Sequence, residues 1–173
     1  MEYLLINPTD IAKTTILGGN VDVDKYRYCV YNAQIIVIEA LLGTELYNKI
    51  ITEAEANTLE GLYLDLYTKF VKPILKNEAL AEYLEVASYS VTNGGIFKHA
   101  PESSNVVEKE EAQYLAQKYH SIAEAYIIRF NKWICKNPLT EYKTYQDEVN
   151  ATRDLKVTGG WFLDTPKKDK WYL

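Results

Sequence analysis

The chain has 173 residues, of which 47% are hydrophobic and 25% are charged, a composition typical of a soluble globular protein with one domain and a real core. Its net charge of −5 and the lack of a basic block argue against a dedicated nucleic-acid-binding protein, which needs clustered Lys and Arg on one face. No uncharged run reaches the ~18–20 residues that cross a bilayer. The start Met1-Glu2-Tyr3 lacks the basic region of a signal peptide, so we expect synthesis in a cytoplasm and no membrane association.

Tyrosine is unusually frequent in this sequence. There are 15 Tyr and 3 Trp against 4 Phe and 1 Met. Tyr and Trp combine a large apolar body with a polar tip, which suits surfaces that are wet in the free protein and buried on docking. The alternative is a core that uses Tyr where other proteins use Phe.

Two helices are predicted between Asn7 and Leu42. The run Asn7-Pro8-Thr9-Asp10 predicts a helix start, and Gly18-Gly19 ends that short helix. Asp24 caps the second helix, which ends at Gly43. Its core side has helical spacing at Tyr26, Cys29, Val30, Ala33, Val37, Ala40 and Leu41, and its opposite side carries Tyr28, Tyr31, Ile35, Ile38 and Leu42. A helix that is apolar nearly all round is central in its bundle or is covered by a neighbouring subunit.

The next stretch predicts helices interrupted at two places. Glu45–Ile50 forms a short helix, and Thr52-Glu53-Ala54-Glu55 has the pattern of a capping box that starts another. From Leu59 to Ile74 the apolar residues keep helical spacing. Pro73 must kink or end this helix because it lacks a backbone N–H.

A long connection is predicted between the last two main helices. One helix runs from about Asn77 to Val91, and Asn93-Gly94-Gly95 ends it in a turn. Residues 96–105 then form a polar loop, which is long for a bundle connection, and such loops are usually functional or mobile. We expect this loop to project from the bundle and to contact a neighbouring subunit or channel through Asn93, Gly94, Phe97 and His99.

The longest helix is predicted from about Val106 to Lys136, followed by a short helix from Asn137-Pro138 to Tyr145. Helical periodicity is lost beyond Asp147, and residues 157–163 have an extended or hairpin pattern. The predicted fold is therefore all-α: a bundle of about four to six helices over residues 1–146 and a C-terminal arm over residues 147–173. The predicted core includes Val37, Leu41, Leu66, Phe70, Leu84, Leu115, Ile122 and Phe130.

The sequence contains no recognisable catalytic or metal-binding pattern. Its histidines, His99 and His120, are isolated from further ligands at metal-site spacing. Cys29 and Cys135 lie in apolar helical stretches, which predicts reduced, buried thiols. None of the glycine pairs has the spacing of a phosphate-binding loop. We expect a protein that is not an enzyme and binds neither cofactor nor metal.

The C-terminal arm is the strongest candidate for partner binding. Trp161, Phe162, Trp171 and Tyr172 lie in a segment with too few apolar residues for a core of its own. Exposed aromatics of this size are costly unless something covers them. The segment either folds back over the bundle or docks on another protein with these aromatics as anchors.

Three groups of residues resemble a known family. They are the run Leu41-Leu42-Gly43-Thr44-Glu45-Leu46-Tyr47-Asn48-Lys49-Ile50, the run Ser90-Val91-Thr92-Asn93-Gly94-Gly95-Ile96, and between them Tyr63, Tyr67 and Val71-Lys72-Pro73-Ile74-Leu75. Their order and spacing resemble the head–tail connector (neck adaptor) proteins of tailed bacteriophages, in particular those of crAss-like and other Bacteroidetes phages. The resemblance covers about residues 1–145.

This resemblance implies a structural virion protein. Neck adaptors form a ring, usually dodecameric, below the portal protein, where the ring extends the DNA channel and joins the capsid vertex to the tail. The implied partners are the portal, other neck or tail proteins and further copies of the chain, while DNA passes through without specific binding. The segment after Asp147 is longer than in compact connectors, and the resemblance implies that this segment reaches the portal. The alternative function is a dimeric helical interaction or regulatory module with a single protein partner.

Overall fold

The computed structural model describes residues 3–9, 15, 23–87, 89–92, 95–98 and 109–143. Helices make up most of this part of the chain, so the predicted all-α fold is confirmed. In chain order the elements are α1 (Val23–Ala33), π1 (Gln34–Glu39), α2 (Ala40–Leu42), α3 (Thr44–Ala56), α4 (Gly61–Leu66), π2 (Tyr67–Val71), α5 (Lys72–Val86), β1 (Tyr89–Thr92), β2 (Gly95–Lys98) and α6 (Lys109–Ile134).

Helix α5 is the centre of the bundle. It packs against α6 along much of its length and against α1 on another side. Its buried residues occupy several sides of the helix, and they are Ile74, Leu75, Asn77, Glu78, Ala79, Leu80, Ala81 and Tyr83. A helix enclosed in this way needs no single apolar stripe, whereas α1 and α6 each bury one side.

The π-helical segment π1 changes which residues of the first long helix face the core. The sequence predicts Val37 and Leu41 as core residues, but both are only partly buried, whereas Ile38 and Leu42 are fully buried. A π turn holds one more residue than an α turn, so every position after it rotates away from the register that 3.6-residue periodicity predicts. The assignment of Ile38 and Leu42 to the opposite side was therefore wrong.

The second π segment, π2, lies directly before Pro73. The helix neither ends nor breaks at this proline: α4, π2 and α5 follow one another without a gap. Pro73 cannot donate a backbone hydrogen bond and its ring crowds the carbonyl four residues earlier, so the wider π turn accommodates it.

Both π segments begin with a residue that holds the N-terminal segment. The amide of Gln34, fully buried, accepts a hydrogen bond from the Leu5 N–H (2.8 Å) and donates to the Tyr3 carbonyl (2.9 Å) and the Tyr47 hydroxyl (3.0 Å). The Tyr67 hydroxyl donates to the Leu5 carbonyl (2.6 Å). The backbone of Leu5, itself buried, is thus bound on both of its polar groups by the two irregular turns.

Other predicted boundaries were only partly right. The Asn7 cap is confirmed, since its side-chain oxygen accepts from the Thr9 N–H at 3.0 Å. The break at Thr52 was wrong, because α3 is continuous and the Thr52 hydroxyl donates inside it to the Asn48 carbonyl. The predicted short helix after Pro138 is also wrong for the described residues up to 143. These residues form a turn that places Leu139 in the core and Tyr142 edge-on to Phe130.

A β-hairpin replaces the predicted end of the helix at Val91. Residues 89–92 and 95–98 form antiparallel strands with Thr92 opposite Gly95. The prediction of helix through residue 91 was wrong, and so was the prediction of loop for residues 96–98. Asn-Gly between two short runs rich in β-branched and aromatic residues is a strong hairpin signal, which the helical interpretation overlooked.

The predicted core residues fall into two groups. Leu66, Phe70 and Phe130 are buried and belong to the core cluster. The predicted core positions that are only partly buried are Val37, Leu41, Leu84, Leu115 and Ile122. Phe130 lies edge-on to Phe70 and Tyr142, so these three rings form an aromatic cluster in the core between π2, α6 and the turn after α6.

Candidate interaction surface

A groove runs along α5 between the α1–π1 helix and α6. Its volume is about 420 Å³. The apolar part of its lining comes from all three helices and comprises Ala33, Ile36, Val37, Ala81 and Ala116. Ile36 is 69% exposed and leaves an apolar surface open at the groove wall.

Three glutamates of α5 form the floor of this groove. Glu78, Glu82 and Glu85 follow one another at i, i+4 and i+7, so they lie on one side of the helix. We call this set the acidic row. The Glu82 carboxylate accepts from the Asn32 amide at 2.7 Å, and the Glu78 carboxylate contacts His120 Nδ1 at 2.9 Å.

Burial and mutual repulsion change the proton affinities in the groove. Desolvation raises the pKa of Glu82, and the neighbouring charges of Glu85 and Glu78 raise it further, although the Asn32 hydrogen bond opposes this. The hydrogen bond to Glu78 raises the pKa of His120, and the charges of Glu78, Glu124 and Glu85 act in the same direction. The groove therefore favours positive charge, which an occupant or a protonated imidazole can supply.

The two outer helices expose apolar residues on the sides that face away from the core. On α1, Tyr28 is 64% exposed and Tyr31 lies on the same side, opposite the buried Tyr26 and Val30. We call this the α1 outer face. On α6, the α6 outer face carries Tyr114, 71% exposed, together with Ser121, Ala125 and Ile128 and the cations Lys118, Arg129 and Lys132.

The thiols and histidines do not assemble into a reactive site within the described residues. Burial raises the pKa of the Cys29 thiol to about 12, with repulsion from Glu82 as a further cause, so this thiol is a poor nucleophile. Cys135 is free and exposed, which contradicts its predicted burial. Among the residues that the structure describes, no group of His, Cys, Asp and Glu is arranged to hold a metal ion.

Most of the predicted partner-binding residues fall outside the described part of the chain. This applies to Trp161, Phe162, Trp171, Tyr172, Asn93, Gly94 and His99, for which partner binding stays a prediction. Phe97 lies in β2, opposite Ser90 of β1. The described helices include none that is long and apolar enough to span a bilayer.

The acidic row and the α6 outer face were not predicted as a site, whereas Tyr28 and Tyr31 of the α1 outer face belong to a helix that the sequence predicts to be central in the bundle or covered by a neighbouring subunit. The spacing of the three glutamates is visible in the sequence, but a charged row at this spacing usually marks a solvent-facing helix side. Only the packing of α1 and α6 on either side of α5 turns the row into the floor of a groove.

A charged cluster fixes the turn that follows α6. Glu141 accepts from the Tyr63 hydroxyl at 2.7 Å and pairs with Lys49 Nζ at 3.0 Å. The Tyr63 hydrogen bond and then Lys49 lower the pKa of Glu141. Lys143 also pairs with Glu45 at the start of α3, so the described chain ends beside α3.

The sequence pattern of a family described as "Family of unknown function (DUF6712)" matches residues 38–154, more than half of the chain. The chain belongs to this family. The matched part contains the acidic row and His120, and it extends past residue 147, where the predicted arm begins. No curated protein and no solved structure matches the chain.

Proposed function

We propose that this protein is a structural component of a phage neck, in which copies of the chain form a ring below the portal, extend the DNA channel and join the capsid vertex to the tail. The observation that carries the proposal is the pair of outer faces on α1 and α6, each of which exposes large hydrophobic side chains to solvent: Tyr28 and Tyr31 on α1, Tyr114 and Ile128 on α6. These faces lie on separate helices that flank α5, so one subunit presents two different surfaces.

Two different surfaces are what a ring requires. In a head-to-tail contact, one face of a subunit meets a different face of the next, and repetition closes a ring when the rotation permits. Both faces expose a tyrosine, Tyr28 on α1 and Tyr114 on α6, which fits an interface that is hydrated before assembly, because the ring is apolar and water satisfies the hydroxyl. The net charge of −5 also suits a DNA channel, since a surface that repels phosphate lets the duplex slide.

The arm over residues 147–173 supplies the contact with the portal in this proposal. Its aromatic residues are rigid and large, so they offset the entropy lost when an extended segment docks. Replacing Trp161 and Phe162 with Ala should leave the melting temperature of the bundle within a degree or two of wild type and abolish capture of the portal. A strongly destabilised bundle that still binds portal would place these residues in the core.

Complementary single variants test the head-to-tail arrangement. Tyr28→Asp removes the α1 outer face and Tyr114→Asp removes the α6 outer face, and both sites are exposed enough to leave folding intact. Each variant alone should fail to assemble on the portal. Mixed in equal amounts, the two should form a dimer that stops there, because the intact face of one meets the intact face of the other. Ala56→Asp, at an exposed site near the end of α3, is the control and should assemble like wild type.

The alternative function predicts a different result for the same mixture. A dimeric regulatory module with a two-fold interface uses one self-complementary face, so one of the two variants would dimerise normally by itself. That result, measured by mass photometry, would contradict the ring and favour the dimer.

A further inference from the structure

We propose that the groove along α5 binds the C-terminal segment 165–173 of a neighbouring copy of this chain. The inference rests on the proposed ring, since it specifies one contact between adjacent subunits: the end of the arm, residues 165–173, binds the neighbouring copy, and Trp161 and Phe162 remain for the portal. The residues that carry it are the acidic row, Glu78, Glu82 and Glu85, and the exposed Ile36 at the groove wall.

The groove requires an occupant with both positive charge and apolar surface. Its floor carries three carboxylates whose hydrogen-bond partners, Asn32 and His120, are an amide and an imidazole without a permanent charge. Its walls are mainly small and aliphatic side chains. A polypeptide with lysines on one side and a large aromatic residue beside them meets both conditions.

One segment outside the described residues has this composition. Residues 165–173 read Thr-Pro-Lys-Lys-Asp-Lys-Trp-Tyr-Leu, with three lysines and one aspartate followed directly by two aromatic residues. The other segments outside the described part contain no more than two Lys or Arg residues each, and none has three lysines directly before two aromatic residues: residues 1–2, 10–14, 16–22, 88, 93–94, 99–108 and 144–164.

The spacing of the charges also matches. Glu82 and Glu85, the members of the acidic row that solvent reaches, are three residues apart on a helix, which corresponds to about 4.5 Å along the axis at 1.5 Å per residue, and flexible lysine side chains span the difference from an extended chain. Lys168 and Lys170 lie on the same side of an extended chain, about 7 Å apart at 3.3–3.4 Å per residue. An extended segment laid along α5 therefore brings two lysines over the acidic row and places Trp171 within reach of Ile36.

Peptide binding to the intact chain tests this contact. The probe is a synthetic peptide of residues 165–173, and the receptor is the full chain with Lys167→Glu, Lys168→Glu, Lys170→Glu and Trp171→Ala, whose own segment cannot compete. The peptide should bind with an affinity that falls as salt is raised. Glu82→Gln/Glu85→Gln in the receptor should weaken binding about tenfold, as expected for two partly exposed ion pairs. Glu110→Gln/Glu111→Gln, exposed acids on the first turn of α6, should change nothing.

A charge exchange makes the assignment specific. Glu82→Lys/Glu85→Lys in the receptor should abolish binding of the natural peptide, and a peptide with Lys168→Glu and Lys170→Glu should bind this charge-reversed receptor better than it binds the receptor that keeps both glutamates. Absence of peptide binding, or equal binding to the Gln variant, overturns the proposal. Circular dichroism melts of each receptor show whether a loss reflects unfolding instead.

Concentration dependence decides which copy supplies the segment. Wild-type chain should show association that increases with protein concentration and is suppressed by added peptide. A protein that stays monomeric while its groove resists the peptide would show that the segment binds its own chain, which contradicts a contact between copies. Ring formation on the portal by a chain whose groove binds no peptide would leave the proposed function standing and remove this inference alone.

Discussion

Replacing Gln34 with Leu should destabilise the protein far more than an ordinary polar-to-apolar change. Gln34 is fully buried, and its amide makes three hydrogen bonds, two of them to the backbone of residues 3 and 5. Leu has a similar size but its side chain cannot form hydrogen bonds, so the Leu5 N–H and the Tyr3 carbonyl lose their hydrogen-bond partner. An orphaned buried group costs about 1–3 kcal/mol. Because the segment can move partly into water, we expect a total loss of about 2–4 kcal/mol.

The assay is urea unfolding followed by circular dichroism, with hydrogen exchange at the Leu5 amide as a local readout. A loss of this size lowers the melting temperature by roughly 5–15 °C in a protein of this length. Tyr67→Phe removes the bond to the Leu5 carbonyl and should cost about 1–2 kcal/mol. The double variant should lose less unfolding free energy than the sum of the two single losses, because either change releases the same segment. Gln113→Leu, an exposed glutamine of α6, is the matched control and should stay within about 0.5 kcal/mol of wild type.

Two results would refute this reasoning. A Gln34→Leu variant as stable as the control would mean that the N-terminal segment is not anchored through this amide. Strict additivity of Gln34→Leu and Tyr67→Phe would mean that the two π segments do not hold the same residue.

The other predictions concern the core and one titrating group. Phe130→Ala should cost about 3–5 kcal/mol, because its fully buried ring packs between Phe70 and Tyr142, and a loss near zero in urea unfolding would contradict that packing. Tyr26→Phe should be neutral or stabilising in the same assay, since the buried Tyr26 hydroxyl has no hydrogen-bond partner among the described residues, and a loss above about 1 kcal/mol would contradict this. The pKa of His120 is raised in the folded state, so its contribution to stability is fully present below about pH 6.5 and is lost as pH rises through the folded pKa. The difference in unfolding free energy between wild type and His120→Gln should therefore be larger at pH 6 than at pH 8, and an unchanged difference would contradict the pairing with Glu78.

The sequence predicts the helices well where burial follows a regular period. Leu66 in α4 and Phe130 in α6 belong to stripes of this kind, and both are buried. The Asn7 cap is local chemistry and is likewise predictable. The all-α class follows from the same regularity.

The errors have specific physical causes. A π turn leaves no mark in apolar periodicity, so the exchange of Val37 for Ile38 in the core could not be predicted from spacing. Gln34 is polar and was given no core role, because its bonds are to a segment some thirty residues away in the chain. The hairpin, by contrast, was predictable from Asn93-Gly94 and was missed because Leu84, Ala87 and Val91 also fit a helical period.

The candidate groove depends on tertiary packing and therefore lies beyond sequence patterns. The acidic row could be read at i, i+4 and i+7 as an ordinary exposed helix side. The row becomes part of a groove because α1 and α6 pack on either side of α5, and Ile36 at the groove wall stays exposed.

The most direct test of the central claim is electron microscopy of the full chain mixed with the portal protein of the phage that the proposal implies. The ring proposal predicts a closed ring of identical subunits stacked on the portal with a continuous axial channel. It also predicts that Tyr28→Asp and Tyr114→Asp each eliminate this ring. A monomer or two-fold dimer that leaves the portal bare under the same conditions would contradict the proposed function.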